Sequence, residues 1–275
     1  MRILTSALVL LVSSAALAAS PAKSPPQAPP QADAQETKLT APADPRLKIL
    51  DAMAAELERN QTQLKVNSHE PPYFVSYQVK DYETIDLDAR YGALFNDARH
   101  RDRKIYADVR VGSYDFDNSM EEGYDYSFST KGQSFIPRKD APLDDDPVAL
   151  RTALWLISDE KYKTALYNYL KKKGENVYTV EDPKRAPSFS REKPSVFVQP
   201  PLSLSFERDR WVKLARELSA RFKEHPQFFD SDVHITAEKV TRYFVSSEGS
   251  RIVTEDLMYG FHIQAVTRAD DGQLL

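Results

Sequence analysis

Apolar positions along this chain follow two periods, and the boundaries between them sketch the fold. The densest period-two signal lies near the end, in Arg242 to Leu275. Tyr243 and Val245 share one face. Ser246-Ser247-Glu248-Gly249-Ser250 reads as a tight turn. Tyr259, Phe261, Ile263 and Ala265 then alternate as a half-buried strand requires. The stretch predicts a strand, a second strand after the turn, and a third ending in the acidic turn Asp270-Asp271-Gly272. Earlier, Tyr73, Val75, Tyr77 and Val79 predict one strand. Ile85, Leu87 and Ala89 predict another, extending toward Phe95. Ile105, Ala107, Val109 and Val111 alternate strictly and predict a third, closed by Gly112. Between these, Asn96 to Arg103 is densely charged and reads as an exposed turn. Tyr124 to Thr130 reads as a further strand.

Three stretches carry the helical period instead. Asp44-Pro45 is a good helix start, with an acidic cap and proline at the first helical position. Leu47, Leu50, Met53, Leu57 and Leu64 follow on one face, and Pro71-Pro72 break the chain. Asp144-Asp145-Asp146-Pro147 opens the longest helical segment. Its stripe is Leu150, Leu154, Ile157, Ala165, Leu166, Tyr169 and Leu170, and Ser158-Asp159 is a point where the helix could restart after a bend. Lys171-Lys172-Lys173-Gly174 suits a helix C-terminus, as the aspartates suit an N-terminus. Asn176 to Pro201 is punctuated by prolines and reads as a long crossing loop, either a lid or a spacer. Ser205 is then expected to cap a helix carrying Trp211, Leu214, Leu218 and Phe222, ended by His225-Pro226. Val233-His234-Ile235 begins the final strand group. Helix, strands, helices, strands without regular alternation predicts an α+β domain: a curved, largely antiparallel sheet packed by helices.

Composition adds an address. The 275 residues are 41% hydrophobic and 11% aromatic, enough for a core without staples, and there is no cysteine. Disulfides, thiolate nucleophiles and Cys-based metal sites are therefore excluded. Net charge is −4 with both signs interspersed, which builds no basic field for nucleic acid. Arg2 followed by the apolar run Ile3 to Leu17 and by Ala16-Leu17-Ala18 reads as a signal peptide over residues 1–19, cleaved near Ala18 or Ala19. The run is shorter than the ~20 residues of a membrane-spanning helix, and without cysteine no lipid anchor can follow it. Residues 20–43, rich in Ala, Pro and Gln, read as a disordered linker. The folded domain is then 44–275, in an exported protein, periplasmic or secreted, with no membrane span in the mature chain.

Candidate chemistry is sparse. The histidines are His69, His100, His225, His234 and His262. His69-Glu70 begins like a zinc-protease helix, but Tyr73 and Phe74 stand where a second histidine is needed, and Pro71-Pro72 forbid the helix. Asp144 to Asp146 lacks the spacing and glycine of a calcium loop, so helix capping is the better reading. Arg99, Arg101, Arg103 and Arg110 could hold an anion, though a solvated turn fits such a run better. There is no glycine-rich phosphate loop and no Gly-x-Ser-x-Gly elbow. No residue is assigned a catalytic, cofactor-binding or metal-binding role.

A combined pattern nevertheless resembles a known family. Tyr73-Phe74-Val75-Ser76-Tyr77, Gly92-Ala93-Leu94, Asp108-Val109-Arg110-Val111-Gly112 with Asp117-Asn118-Ser119, Asp144-Asp145-Asp146-Pro147, and Tyr243-Phe244-Val245-Ser246-Ser247-Glu248-Gly249-Ser250 are together similar to the N-terminal domain of TldD/PmbA proteins, more exactly their exported relatives. The resemblance spans roughly Asp44 to Leu275. It implies a metallopeptidase family, also labelled modulators of DNA gyrase, whose members have two domains and form dimers. The N-terminal domain walls a cavity for short or unfolded peptides, and a His-Glu-x-x-x-His helix in the C-terminal domain holds zinc. No position here matches that motif. The resemblance thus implies the N-terminal half alone, inactive by itself and with no cofactor in this chain. Its expected partners are a peptide substrate and a second copy or a catalytic subunit. The alternative is a stand-alone envelope domain that binds peptides or partner subunits.

Overall fold

Two long hairpins supply most of the sheet. In the first, β1 (Phe74–Arg90) turns at Tyr91-Gly92 into β2 (Ala93–Arg110). Both turn residues have positive φ, 45° and 79°, so the hairpin reverses within two residues. A three-residue strand, β3 (Arg138–Asp140), lies antiparallel on β2, and another, β4 (Val196–Val198), precedes the second hairpin in sequence. That hairpin joins β5 (Phe228–Ser246) to β6 (Arg251–Thr267) through Ser247 to Ser250. The sheet order is β3-β2-β1-β5-β6-β4, antiparallel except for the β4–β6 pair. This computed structural model describes residues 44–66, 69–119, 138–176, 186–269 and 271–273. The leader, the linker, the strand expected at Tyr124 to Thr130, part of the crossing loop and Asp270 lie outside the described residues.

Three helices α1 (Arg46–Gln63), α2 (Pro147–Asn176) and α3 (Arg208–Ala220) pack on one face of the sheet. Alternation decides which side chains meet them. Val75, Tyr77, Val79, Ile105, Val109, Tyr243, Val245 and Val253 form the main core with Ile49, Leu50, Met53, Leu57, Leu150, Leu154 and Ile157. Leu87, Ala89, Val233 and Ile235 make a smaller core with Ala215, Trp211 and Leu218 of α3. Each fully buried large side chain contributes about 1.5–3 kcal/mol, so these two clusters fix the helices to the sheet. The α+β class and antiparallel pattern thus follow the sequence reading.

Several details differ from it. Asn96 to Arg103 is not a turn but the middle of β2, paired with Asp88 to Asp81 of β1. Its charges are compensated across the ladder: Arg99 pairs with Glu83, and buried Arg103 reaches Asp81 at 2.5 Å and Asp145 at 2.8 Å. Charge pairing replaces the apolar pattern by which a strand is recognised. α2 runs unbroken through Ser158. Its hydroxyl donates to the Leu154 carbonyl at 2.7 Å and accepts from Tyr77, whose hydroxyl in turn accepts from Asn60 at 2.7 Å. Burial pushes the Tyr77 hydroxyl up to about 12. The helix also continues past Gly174 to Asn176, and Leu170 is exposed. Asp44 caps α1 as expected, accepting the Arg46 N–H at 3.0 Å. Ser205 caps nothing, because α3 starts after Glu207.

The largest difference concerns β6. The second and third strands of the sequence reading are one continuous strand. Gly260 lets it pass, since a Cβ there would come within 2.7 Å of Thr236 Cγ2. The face Tyr259, Phe261, Ile263, Ala265 is exposed rather than half-buried. Alternation was read correctly, but at this end of the sheet α3 packs on β1, β2 and β5, on the partners Val233 and Ile235 of Ile263 and Phe261, and leaves the β6 side chains open.

Candidate functional site

The bare end of β6 is also an edge. Its inner side pairs with β5 over its whole length. Its outer side is occupied only at the start. Val196, Phe197 and Val198 pair with Arg251, Ile252 and Val253, and the Arg251 N–H reaches the Ser195 carbonyl at 2.8 Å. Gln199 extends this one step further, donating its backbone N–H to Val253 and its side-chain amide to the Glu255 carbonyl. Because Arg251, Val253 and Glu255 aim their backbone groups outward, so do Leu257, Tyr259, Phe261, Ile263 and Ala265. No described strand pairs with those five. At about 3.3 Å per residue they span about 30 Å.

The side chains along this edge are apolar and open. Met258 is 57% exposed, Tyr259 52%, Phe261 52% and Ile263 44%. No Asp, Glu, Lys or Arg occurs from Leu257 to Thr267. Edge strands are ordinarily protected by charges, prolines or bulges, and this segment has none. An unpaired row of donors and acceptors with alternating apolar side chains is equipped to accept one more extended strand.

A buried carboxylate sets where the free edge begins. Glu255 accepts the Leu202 N–H at 2.5 Å and the Thr241 hydroxyl at 3.1 Å, and pairs with Lys239 at 3.0 Å. Arg46 Nη1 lies 3.2 Å away, an ion pair without hydrogen-bond geometry. Burial alone would raise the Glu255 carboxyl, but the Leu202 N–H, Lys239 and Thr241 outweigh it and hold it below the usual range. The group is thereby committed to holding the segment after β4 against the sheet.

The other end of the β5–β6 hairpin borders a polar cavity of about 560 Å³, lined among others by Tyr73, Tyr114, Arg191 and Glu248. Beside it lies buried Asp117. Burial would raise its carboxyl too, yet the Ser119 N–H at 2.7 Å, the Tyr73 hydroxyl at 2.8 Å and Arg110 at 3.0 Å hold it low. Arg110 also lies 3.8 Å over the Phe189 ring. Arg99, Arg103 and Arg110 are each spent on carboxylates, so the arginine run does not converge on an anion site. The Asp triplet behaves as a helix start: Asp146 accepts the Val148 N–H and Asp145 serves Arg103.

The histidines are dispersed. His69 sits between α1 and β1, where the Glu70 carbonyl accepts the Tyr162 hydroxyl at 2.6 Å. His100 lies opposite Thr84, and His225 follows α3. His234 has Nδ1 2.5 Å from Asp88 and stands opposite exposed His262 in the ladder. Among the described residues no three His, Asp or Glu side chains are placed to hold a metal, so zinc does not fit them. Among the described residues, too, no helix is long and apolar enough to cross a membrane. The sequence reading passed over the free edge, although the charge-free run from Leu257 to Thr267 was a legible sign of it.

No protein-family model matches the chain, and no curated protein matches it significantly. Solved structures do resemble it. TldE from Thermococcus kodakarensis aligns with 10% identity and a TM-score of 0.41, over 82% of this chain and 40% of that one. A proposed modulator of DNA gyrase from Bacteroides thetaiotaomicron aligns with 11% identity and a TM-score of 0.43, over 83% and 42%. A second, from Thermotoga maritima, aligns with 11% identity and a TM-score of 0.35, over 73% and 37%. The likeness is weak, and no role follows from it. The chain spans less than half the length of each of these proteins.

Proposed function

We propose that this chain binds extended polypeptide by strand addition to β6, as the cavity-forming, non-catalytic half of an exported assembly of the TldD/PmbA metallopeptidase kind acting on short or unfolded peptides. One observation carries the reading: the outer edge of Leu257 to Ala265 presents a continuous row of backbone groups that no described strand pairs, flanked by exposed apolar side chains. Backbone pairing would supply affinity without a fixed sequence, and the apolar stripe would favour hydrophobic residues at alternate positions. Zinc and the hydrolytic step would come from a companion polypeptide.

The stand-alone alternative, peptide or partner binding without hydrolysis, draws on a different observation. Two buried carboxylates that hydrogen bonds hold low against the effect of burial, Glu255 and Asp117, are both tied to holding loops and strands in place. The two readings share the site and part on the chemistry. Calorimetry with an unfolded apolar peptide is expected to show saturable binding, abolished when alternate backbone nitrogens of the peptide are N-methylated. Equal binding of the methylated peptide would rule out strand addition. Elemental analysis of the purified chain is expected to find no stoichiometric zinc. Tight zinc with peptide hydrolysis would place catalysis in this chain after all.

A further inference from the structure

Another cavity, of about 370 Å³, opens between α1 and α2. Its lining is Glu56 and Arg59 of α1 with Val148, Arg151, Thr152 and Trp155 of α2. On α2, Val148, Thr152 and Trp155 stand at i, i+4 and i+7, along one face of the helix. That face differs from the stripe of Leu150, Leu154 and Ile157 that enters the core. Val148 is 72% exposed and Trp155 42%. The cavity therefore has an apolar wall that no described residue covers.

Its floor is charged. Glu56 is buried, with its side chain 3% exposed, and its single carboxylate serves two guanidiniums. Oε1 accepts from Arg59 Nε at 2.9 Å, from Arg59 Nη2 and from Asn60 Nδ2 at 3.1 Å. Oε2 accepts from Arg151 Nε at 3.2 Å. Two guanidiniums against one carboxylate leave one positive charge over. The bond to Glu56 holds Arg59 above the usual arginine range, so it stays charged. Arg151 engages Glu56 through Nε alone. Its Nη1 and Nη2, and Nη1 of Arg59, donate to no described residue. The two Nη groups of Arg151 are the end of the guanidinium fork, which grips a carboxylate through two parallel hydrogen bonds. Asn60 ties Glu56 to the Tyr77 hydroxyl at 2.7 Å inside the core. The fork is thus oriented before any ligand arrives.

We propose that the cavity between α1 and α2 binds a small apolar carboxylate, with its anionic group on Arg151 and Arg59 and its apolar body against Trp155 and Val148. The volume lies at the small end of the ~300–1,000 Å³ range of ligand pockets. It suits an acylated amino acid or the last residue of a peptide rather than a long segment. Inorganic phosphate would meet the charge and leave the indole uncovered, and an uncharged ring would do the reverse. The site goes beyond strand addition and shares no residue with the β6 edge.

Calorimetry with N-acetylphenylalanine tests the assignment, with N-acetylphenylalaninamide, acetate and inorganic phosphate alongside. The free acid is expected to bind saturably and the amide about tenfold more weakly, because hydrogen bonds to a charged group contribute that much. Added salt is expected to weaken the acid. The chain has two tryptophans, so Trp211→Phe leaves Trp155 as the single indole, and its emission is expected to change on binding. Arg151→Lys keeps the charge and loses the fork, and is expected to weaken the acid about tenfold without weakening the amide. Val148→Asp puts a carboxylate in the first turn of α2, where the helix tolerates it. It is expected to abolish acid binding while circular dichroism reports an intact fold. Equal binding of acid and amide would overturn the proposal. So would acetate or phosphate binding more tightly than the acylated amino acid, unchanged affinity in Arg151→Lys, or no saturable binding of the acid. A hexapeptide ending in phenylalanine with a free carboxylate separates the two sources. Affinity equal to that of the small acid assigns the site to chain termini, exclusion assigns it to free acids, and either keeps the carboxylate site. An unfolded apolar peptide amidated at its C-terminus reports on β6 alone. Its binding without that of the acid would remove this inference and leave the proposed function standing, and the converse would keep the cavity and remove the function. Where both bind, they are expected not to compete.

Discussion

β2 and β6 are the two long strands that flank the centre of the sheet, and each carries a stretch of exposed side chains beyond its short neighbour. They manage that exposure in opposite ways. β2 places Asp97, Arg99, His100 and Arg101 there and pins the strand with buried Arg103, whose guanidinium also donates to the carbonyls of Pro142 and Asp144. Its backbone partner β3 covers Lys104 to Tyr106, and charge deters pairing over the rest. β6 places Leu, Met, Tyr, Phe and Ile in the equivalent position with no charge among them. An edge strand tolerates exposure when its side chains repel or desolvate an incoming strand at a cost. The difference therefore marks β2 as an edge kept solitary and β6 as one that accepts company.

The contrast can be broken most severely at Arg103. Arg103→Met leaves Asp81 and the loop carbonyls without their partner, and removal of one member of a buried ion pair costs about 3–5 kcal/mol. Urea unfolding is expected to show that loss, and a change below about 1 kcal/mol would mean that the charged strand is not held by this residue. Glu255→Gln attacks the corresponding pin on the β6 side. It loses charge-assisted bonds to Leu202 and Lys239, at about 2 kcal/mol, and is expected to raise amide exchange at Gln199 and Leu202 while lengthening the free edge.

Acid should act through the same groups. Glu255 and Asp117 are held below their ordinary values in the folded state. Their contribution is therefore complete above about pH 4.5, the ordinary range of a carboxyl group, and is lost as pH falls through the lower folded values. Unfolding free energy measured from pH 7 down to pH 3 is expected to decline below pH 5. Glu255→Gln should flatten the decline, and an unchanged slope would detach it from Glu255.

The smallest effects on stability carry the sharpest reading of the two edges. Giving β6 the character of β2, by Phe261→Lys with Ile263→Glu, is expected to change stability by about 0.5 kcal/mol or less while abolishing peptide binding in calorimetry. Giving β2 the character of β6, by Arg99→Val with Arg101→Val, removes only an exposed pair worth about 1 kcal/mol or less. It is expected to produce concentration-dependent association where there was none from that side. If neither exchange alters association, edge charge is not what separates the strands.

Strands with one buried face were legible from alternation: Val75 to Val79, Ile105 to Val111 and Tyr243 to Val245 each point inward as their period requires. Strands held by cross-strand charge were not. Asn96 to Arg103 resembles a loop in composition, and only its pairing with Asp81 to Asp88 makes it a strand. The candidate site was half legible. The charge-free run from Leu257 to Thr267 could be read directly, but it reads equally as a half-buried strand, and that is how alternation placed it.

The sequence by itself determined the class of the fold, the long helix from Pro147, the cap at Asp44 and the absence of cysteine chemistry, because each depends on local spacing or on composition. Tertiary structure decided what the apolar face of β6 is for. Alternation defines two faces of a strand but does not say which is covered, and coverage depends on where three helices end relative to the sheet. Past Leu257 the helix at hand, α3, lies on β1, β2 and β5 rather than on β6, and Gln199 stops pairing at Glu255. The same residues that would have completed a core are left as an open edge.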